Sequence, residues 1–196
     1  MRIFITLMFL IFNFQSLTMA GDIRDFEIEG MSIGDSLLDY FNKNKILQNK
    51  MDYYINDNFI TSDLSKIINS TLYDSIQISF KNNSILNIYE IEAAIIFNNK
   101  MDACEKKRKL IFEEILKSFP NADKTDLIKT KLSFDKTGNS IVFGRQIYLK
   151  NRDYIQVACF DFSNELNSNK YLDTLKVTLT SRKFADWRSK SYKIIK

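Results

Sequence analysis

Apolar residues recur along this chain with two different periods, and the order in which the periods alternate predicts the architecture. Ile76, Ile78 and Phe80 alternate with Gln77 and Ser79, the two-residue period of a strand with one wet face. Lys81-Asn82-Asn83-Ser84 then reads as a turn, because Asn tolerates left-handed backbone. Its partner strand runs to Phe97, with Tyr89, Ile91, Ala93, Ile95 and Phe97 assigned to one face. From Lys100 to Ser118 the period becomes helical: Met101, Cys104, Ile111, Phe112, Ile115 and Phe119 project onto one stripe, opposite Lys106, Lys109, Glu113 and Lys117. Asn99 is the expected cap, Asp102 follows at N3, and Pro120 lies beyond the end. A helix with such a stripe covers a sheet.

The same reading extends in both directions. Ser32, with Asp35 three residues on, predicts a helix start that places Ile33, Leu37, Leu38 and Phe41 on one face. A short helix or turn is expected over 45–54, and strands from Phe59. Downstream, Leu132 and Phe134 face Ile141 and Phe143 across a Gly138-containing loop. A strand around 146–149 turns at Asn151-Arg152 into Tyr154 to Phe162, where Ile155, Val157 and Cys159 share a face. Leu175, Val177 and Leu179 form the last strand, and Arg182 to Tyr192 a terminal helix. The expected fold is α+β, a mainly antiparallel sheet with one long covering helix, ordered helix, strands, helix, strands, helix. A helix followed by three strands occurs twice in this reading, from Ser32 and from Asn99, an α-β-β-β duplication carried by pattern and not by residue identity.

The N-terminus changes the compartment. Arg2, an apolar run from Ile3 to Phe12, a polar break at Asn13, Gln15 and Ser16, and Thr18-Met19-Ala20 before Gly21 are the n-region, h-region and cleavage site of a signal peptide. A bilayer-spanning helix needs about 20 apolar residues, and this run is roughly half that, so cleavage is expected over an uncleaved anchor. Residues 1–20 are thus read as a signal peptide and 21–196 as one domain, exported to the periplasm or beyond and soluble. No Cys near the cut offers a lipid attachment point.

With 27% charged and 45% hydrophobic residues the composition is globular. The abundance of Ile, Asn, Lys, Phe and Tyr follows AT-rich codons, so Lys and Asn numbers carry no functional weight. The formal charge is +4, and losing Arg2 with the signal leaves +3. This is too small and too interspersed for nucleic-acid binding. The chain has no His, which excludes Ser-His-Asp and Cys-His catalysis and His-ligated zinc. Neither a G-x-G-x-x-G nor a G-x-x-x-x-G-K-[ST] segment is present, so no phosphate cradle is expected. No cofactor, metal site or catalytic residue is assigned.

Two cysteines, Cys104 and Cys159, occur in a chain read as exported, and an even count there is first read as a bridge. Two buried thiols are the alternative. Glu90 and Glu92 lie two apart on a strand, about 7 Å from each other on one side, within the range of an inverting glycosidase pair. Alternating charges are equally what a solvated strand face shows. Arg108 falls inside the apolar stripe of the long helix, where its guanidinium needs a carboxylate, a bound anion or an escape to the sheet edge. In the terminal helix, Arg182, Lys183, Arg188, Lys190, Lys193 and Lys196 flank Phe184, Trp187 and Tyr192. Contact with an anionic membrane surface through Arg182, Lys183, Trp187 and Arg188 is one reading, and docking of the aromatics onto the sheet is the other. The sequons at Asn69 and Asn82 matter only in a eukaryote.

The segment Phe26-Glu27-Ile28-Glu29-Gly30-Met31-Ser32-Ile33-Gly34-Asp35-Ser36-Leu37-Leu38-Asp39-Tyr40-Phe41 resembles the opening of a group of small exported proteins of AT-rich marine bacteria with no assigned activity. Gly30-Met31-Ser32 before a short helix is more distantly similar to the Gly-Met-Thr start of SmpA/OmlA outer-membrane assembly lipoproteins and the β-lactamase-inhibitor-like fold. This chain lacks their lipid-accepting Cys and the Leu-Gly-x-Pro after the helix, so their assembly role is not carried over. The expected function is a non-enzymatic, envelope-associated binding domain that uses one face of its sheet, its partner an envelope protein or anionic surface. A carboxylate-dependent hydrolase is the alternative.

Overall fold

The computed structural model describes residues 21–167 and 171–191; the expected signal peptide, Ala20 and Tyr192 lie outside them. Among the described residues eight strands form a single antiparallel sheet: β1 (Phe59–Asp63), β2 (Ser75–Lys81), β3 (Ile88–Ile96), β4 (Asp123–Lys124), β5 (Ile128–Lys131), β6 (Ile141–Tyr148), β7 (Tyr154–Asp161) and β8 (Thr174–Thr180). Their order is β1-β2-β3-β8-β7-β6, with β4 and β5 both paired to β6. Four helices accompany them: α1 (Lys43–Gln48), α2 (Met101–Ser118), α3 (Asn164–Asn167) and α4 (Arg182–Ser191). The chain is therefore α+β and mainly sheet. The expected order is not reproduced in detail: β4 and α3 are additional elements, the hairpin strand expected at Leu132 and Phe134 is instead β5 at Ile128–Lys131, and Ile147 and Tyr148 belong to the same strand as Ile141 and Phe143.

One sheet face is the core. Ile76, Ile78, Ile91, Ala93, Val177, Leu179, Ile155, Val157 and Cys159 all point into it and are buried. The stripe on α2 lies over them, with Cys104, Phe112 and Ile115 buried. Cys104 and Cys159 form a disulfide, their Cα atoms 6.2 Å apart. Lys100, not Asn99, is the N-cap of α2 and makes no side-chain cap bond. Asn99 instead adopts a φ of 56° and donates its backbone N–H to Asp173 Oδ2 at 2.9 Å.

The helix expected from Ser32 is not formed. Gly34 takes a φ of +98°, outside the helical region, and the segment becomes a string of turns ending in a 3₁₀ turn at Leu37–Asp39. Asp35 does accept from Ser32 N at 2.8 Å, as in a capping box, but Ser32 Oγ turns away and donates to the Phe26 carbonyl. The apolar positions are still buried, Ile28, Met31, Ile33 and Leu37 among them. Backbone bonds from Gly34 N to Ile88 O and from Leu37 N to Leu86 O fasten this segment to the start of β3. The hydrophobic pattern is thus satisfied by a turn-rich strap. The true helix, α1, begins later, capped by Asn42.

Gly144 on β6 faces Ala158 on β7, and a Cβ there would lie 2.5 Å from Ala158 Cβ and 2.7 Å from the Val157 carbonyl oxygen. The obstructing atoms are β7 backbone and the Ala158 methyl, with no flexible side chain among them to yield. Gly144→Ala is expected to cost about 2 kcal/mol by overpacking, read as a lower urea midpoint at unchanged slope. An unchanged midpoint would show that the pair can spread.

Candidate functional site

The second face of the sheet is polar over its middle and one end, where the residues alternating with the core set are hydrophilic, and gives way to Ala94, Ala158 and Phe160 toward the other end. Cross-strand register lines up the hydrophilic residues. Gln77, Glu92, Thr178, Gln156 and Gln146 form one row over β2, β3, β8, β7 and β6. At about 4.8 Å between strands such a row spans roughly 19 Å. Thr61, Ser79, Glu90, Thr180, Tyr154 and Tyr148 form a parallel row one pleat away. The Gln side chains and Glu92 stay partly accessible.

Two segments wall this face at one end. They are Tyr53 and Tyr54 of the connection before β1, and α4, and their aromatic side chains meet in one cluster. Tyr54 meets Trp187 with ring centroids 4.8 Å apart, and Phe59 meets Phe184 at 5.3 Å. A β-bulge between Ser79 and Phe80 makes this possible, since it turns Tyr89 off the core face toward Phe59, with centroids 5.0 Å apart. The expected placement of Tyr89 beside Ile91 is corrected accordingly. Beside the aromatic cluster lies a cleft of about 130 Å³, lined by Tyr53, Gln77, Glu90, Glu92, Lys176 and Arg188 among others.

The two carboxylates of the sequence reading sit in this cleft, but not as a solvated face. Glu90 is 6% exposed. Its Oε2 accepts from Arg188 Nη1 and from Thr180 Oγ1, the latter at 2.8 Å. Arg188 also donates to Tyr154 OH at 3.1 Å and lies over the Phe184 ring. Burial pushes the Glu90 carboxyl above its ordinary range, opposed by the Arg188 charge beside it. Burial alone would depress Arg188, yet Glu90 holds it above its usual value. Glu92 is half-buried and accepts from Lys176 Nζ at 2.6 Å, and Lys176 rests on the Phe160 ring at 4.7 Å. Tyr54 OH is joined to Thr61 at 3.0 Å and Thr61 to Ser79 at 2.6 Å. Burial pushes the Tyr54 phenol up to about 12.

The interfacial reading of the terminal helix is corrected by the same contacts. Phe184 is 0% exposed, Trp187 is packed on Tyr54 and Phe59, and Arg188 is tied to Glu90. The i, i+3 aromatic edge therefore faces the sheet. Arg182 and Lys183 lie on the solvent side, Arg182 paired with Asp186 at 2.7 Å. Asn69 and Asn82 are exposed.

Arg108 does not escape to water. Its side chain is buried on α2, and Nε and Nη1 have no hydrogen-bond partner. Among the described residues no helix is long and apolar enough to cross a membrane, and no group of three or more acidic or thiol side chains gathers as a metal site.

Sequence reasoning missed Lys176, Gln77, Gln156, Gln146, Tyr53 and Tyr154. The available signal was their position opposite the core residues in each strand, yet strand order was needed to see them as one surface. The chain matches no protein-family model, no curated protein and no solved structure, so its function rests on the geometry of this face.

Proposed function

We propose that this chain is an exported, non-catalytic binding domain whose polar sheet face holds an extended, uncharged ligand rich in hydroxyl or amide groups. The carrying observation is the Gln77-Glu92-Thr178-Gln156-Gln146 row, hydrogen-bonding side chains in register over five strands. The charges of this face are compensated within the fold, Glu90 by Arg188 and Glu92 by Lys176. A charged ligand would have to displace those partners, whereas amide and hydroxyl groups replace water on a row in which Gln77 and Gln146 already accept from Tyr53 and Tyr148 through Oε1. Export is supported by the signal-like residues 1–20 together with the disulfide. The α-β-β-β duplication belongs to the same proposal, supported by a sheet in which β3 and β8, the last strands of the triplets β1-β2-β3 and β6-β7-β8, pair at the centre.

The second reading, a carboxylate-dependent hydrolase, draws on the raised Glu90 carboxyl, as a general acid requires. It would use Glu92 as base, but both groups are occupied by cations. Titration of isotope-labelled protein with a neutral hexasaccharide and with a neutral Gly/Ser hexapeptide tests both. The expected result is amide shifts confined to the row, abolished by Gln77→Ala with Gln156→Ala, and no cleavage of the probe. Shifts elsewhere, or none at 10 mM probe, contradict the binding reading. Cleavage that is lost in Glu90→Gln establishes the hydrolase.

A further inference from the structure

A second site lies on the other side of the sheet, where α2 meets the connection between β4 and β5. Arg108 projects from the middle of α2 among Cys104, Phe112 and Ile115, and is 2% exposed. A buried guanidinium needs a compensating anion and partners for its N–H groups. The fold supplies a distant, shared anion and leaves two of the nitrogens without partners. Glu105 Oε1 is 3.9 Å from Arg108 Nη2, beyond hydrogen-bond distance, and that carboxylate already accepts from Lys109 at 3.0 Å. Nε and Nη1 are unpartnered and inaccessible to solvent. Burial pulls the Arg108 pKa below its ordinary value, Glu105 works against this, and Arg145 adds to it.

Arg108 lines a cleft of about 590 Å³ together with Phe112, Leu127 and Arg145. Arg145 is fixed in place, donating from Nε to the Thr125 carbonyl at 2.9 Å and lying 4.2 Å over the Phe112 ring. Its Nη1 is 3.6 Å from Glu113. The charges around the cleft bound what can bind. Besides Arg108 there are two cations, Lys109 and Arg145, and three carboxylates, Glu105, Glu113 and Asp126. A dianion such as phosphate would face those three acids, whereas a single carboxylate placed on Arg108 meets the need of one buried cation. Leu127, half-exposed, borders the mouth of the space with apolar surface, while Phe112 is buried and its ring lies beneath Arg145.

We propose that this cleft binds a small amphiphilic monocarboxylate, its carboxylate on Arg108 and its hydrocarbon body against Leu127. The site is separate from the polar face, so its fate does not depend on the function proposed above. The test uses octanoate, acetate, inorganic phosphate and 1-octanol as probes, read by the NMR signals of the arginine Nε–H groups and by isothermal titration. Octanoate is expected to shift the Arg108 Nε–H signal and to bind at least tenfold more tightly than acetate. Phosphate and 1-octanol are expected not to move that signal. Arg108→Met, which keeps the stem apolar, should weaken octanoate at least tenfold. Arg145→Gln, at the more accessible edge of the cleft, supplies a second variant should Arg108→Met fail to fold, and should weaken octanoate several-fold. An Arg108 signal unmoved by octanoate, binding unchanged in the variants, or phosphate binding as tightly as octanoate would each overturn the proposal.

Discussion

Opening the Cys104–Cys159 bridge is expected to lower the unfolding free energy by about 4 kcal/mol, on the chain-entropy account of a loop of this length. The bond joins residues 55 apart in sequence and ties α2 to β7 across the core. Both sulfurs are buried, so the effect has two parts that experiment can separate. Reduced wild-type protein keeps the side-chain volume and loses only the tether. Cys104→Ala with Cys159→Ala loses both, and adds the cost of the space left behind. Guanidinium unfolding of the three forms should therefore rank oxidised, reduced, double variant, with the largest step at reduction. A reduced form as stable as the oxidised one would show that the packing of α2 on the sheet fixes this contact unaided.

Much of the fold was legible because a two-residue and a 3.6-residue period cannot be confused over long runs. Strands β2, β3, β7 and β8 and helix α2 announce themselves in this way. The segment 32–41 departs from its expected helix for a local reason. Its apolar spacing fits a helix, but Gly34 at positive φ and backbone bonds to Leu86 and Ile88 make a chain of turns the better solution. The site was less legible for a different reason. Period two places Glu90 on the wet side of its strand, and nothing local says that α4 will land there. Arg188, 98 positions away, supplies its partner, and Tyr53, Tyr54 and Trp187 supply the walls. Arg108 is the opposite case. Its position in the apolar stripe was visible in the sequence, and the absence of a partner was visible only in the fold.

Arg188→Met is expected to destabilise the protein by about 3 kcal/mol at pH 8, because it leaves the Glu90 carboxylate buried without its cation. Breaking a buried pair by removing one member costs about 3 to 5 kcal/mol. Arg188 keeps 30% of its side chain in contact with solvent, and the screening that follows sets the lower end of that range. The loss should depend on pH in a determined direction. Burial already raises the Glu90 carboxyl above its ordinary value, and Arg188 opposes that rise. Without Arg188 the folded-state value climbs further, while the unfolded chain still titrates near pH 4.3. Between those two values the folded protein holds a proton that the unfolded chain has released. Its stability therefore falls as pH rises through that window, and is retained below it. Urea unfolding of Arg188→Met at pH 4 and pH 8 should show the smaller deficit at pH 4, relative to wild type at the same pH. Adding Glu90→Gln removes the titrating group, so the double variant should lose this pH dependence and recover part of the stability at pH 8, Thr180 still donating to the amide oxygen. A deficit equal at both pH values, or a double variant no better than the single one, would mean that Arg188 acts through its packing on Phe184 and Tyr154 and not through the charge on Glu90.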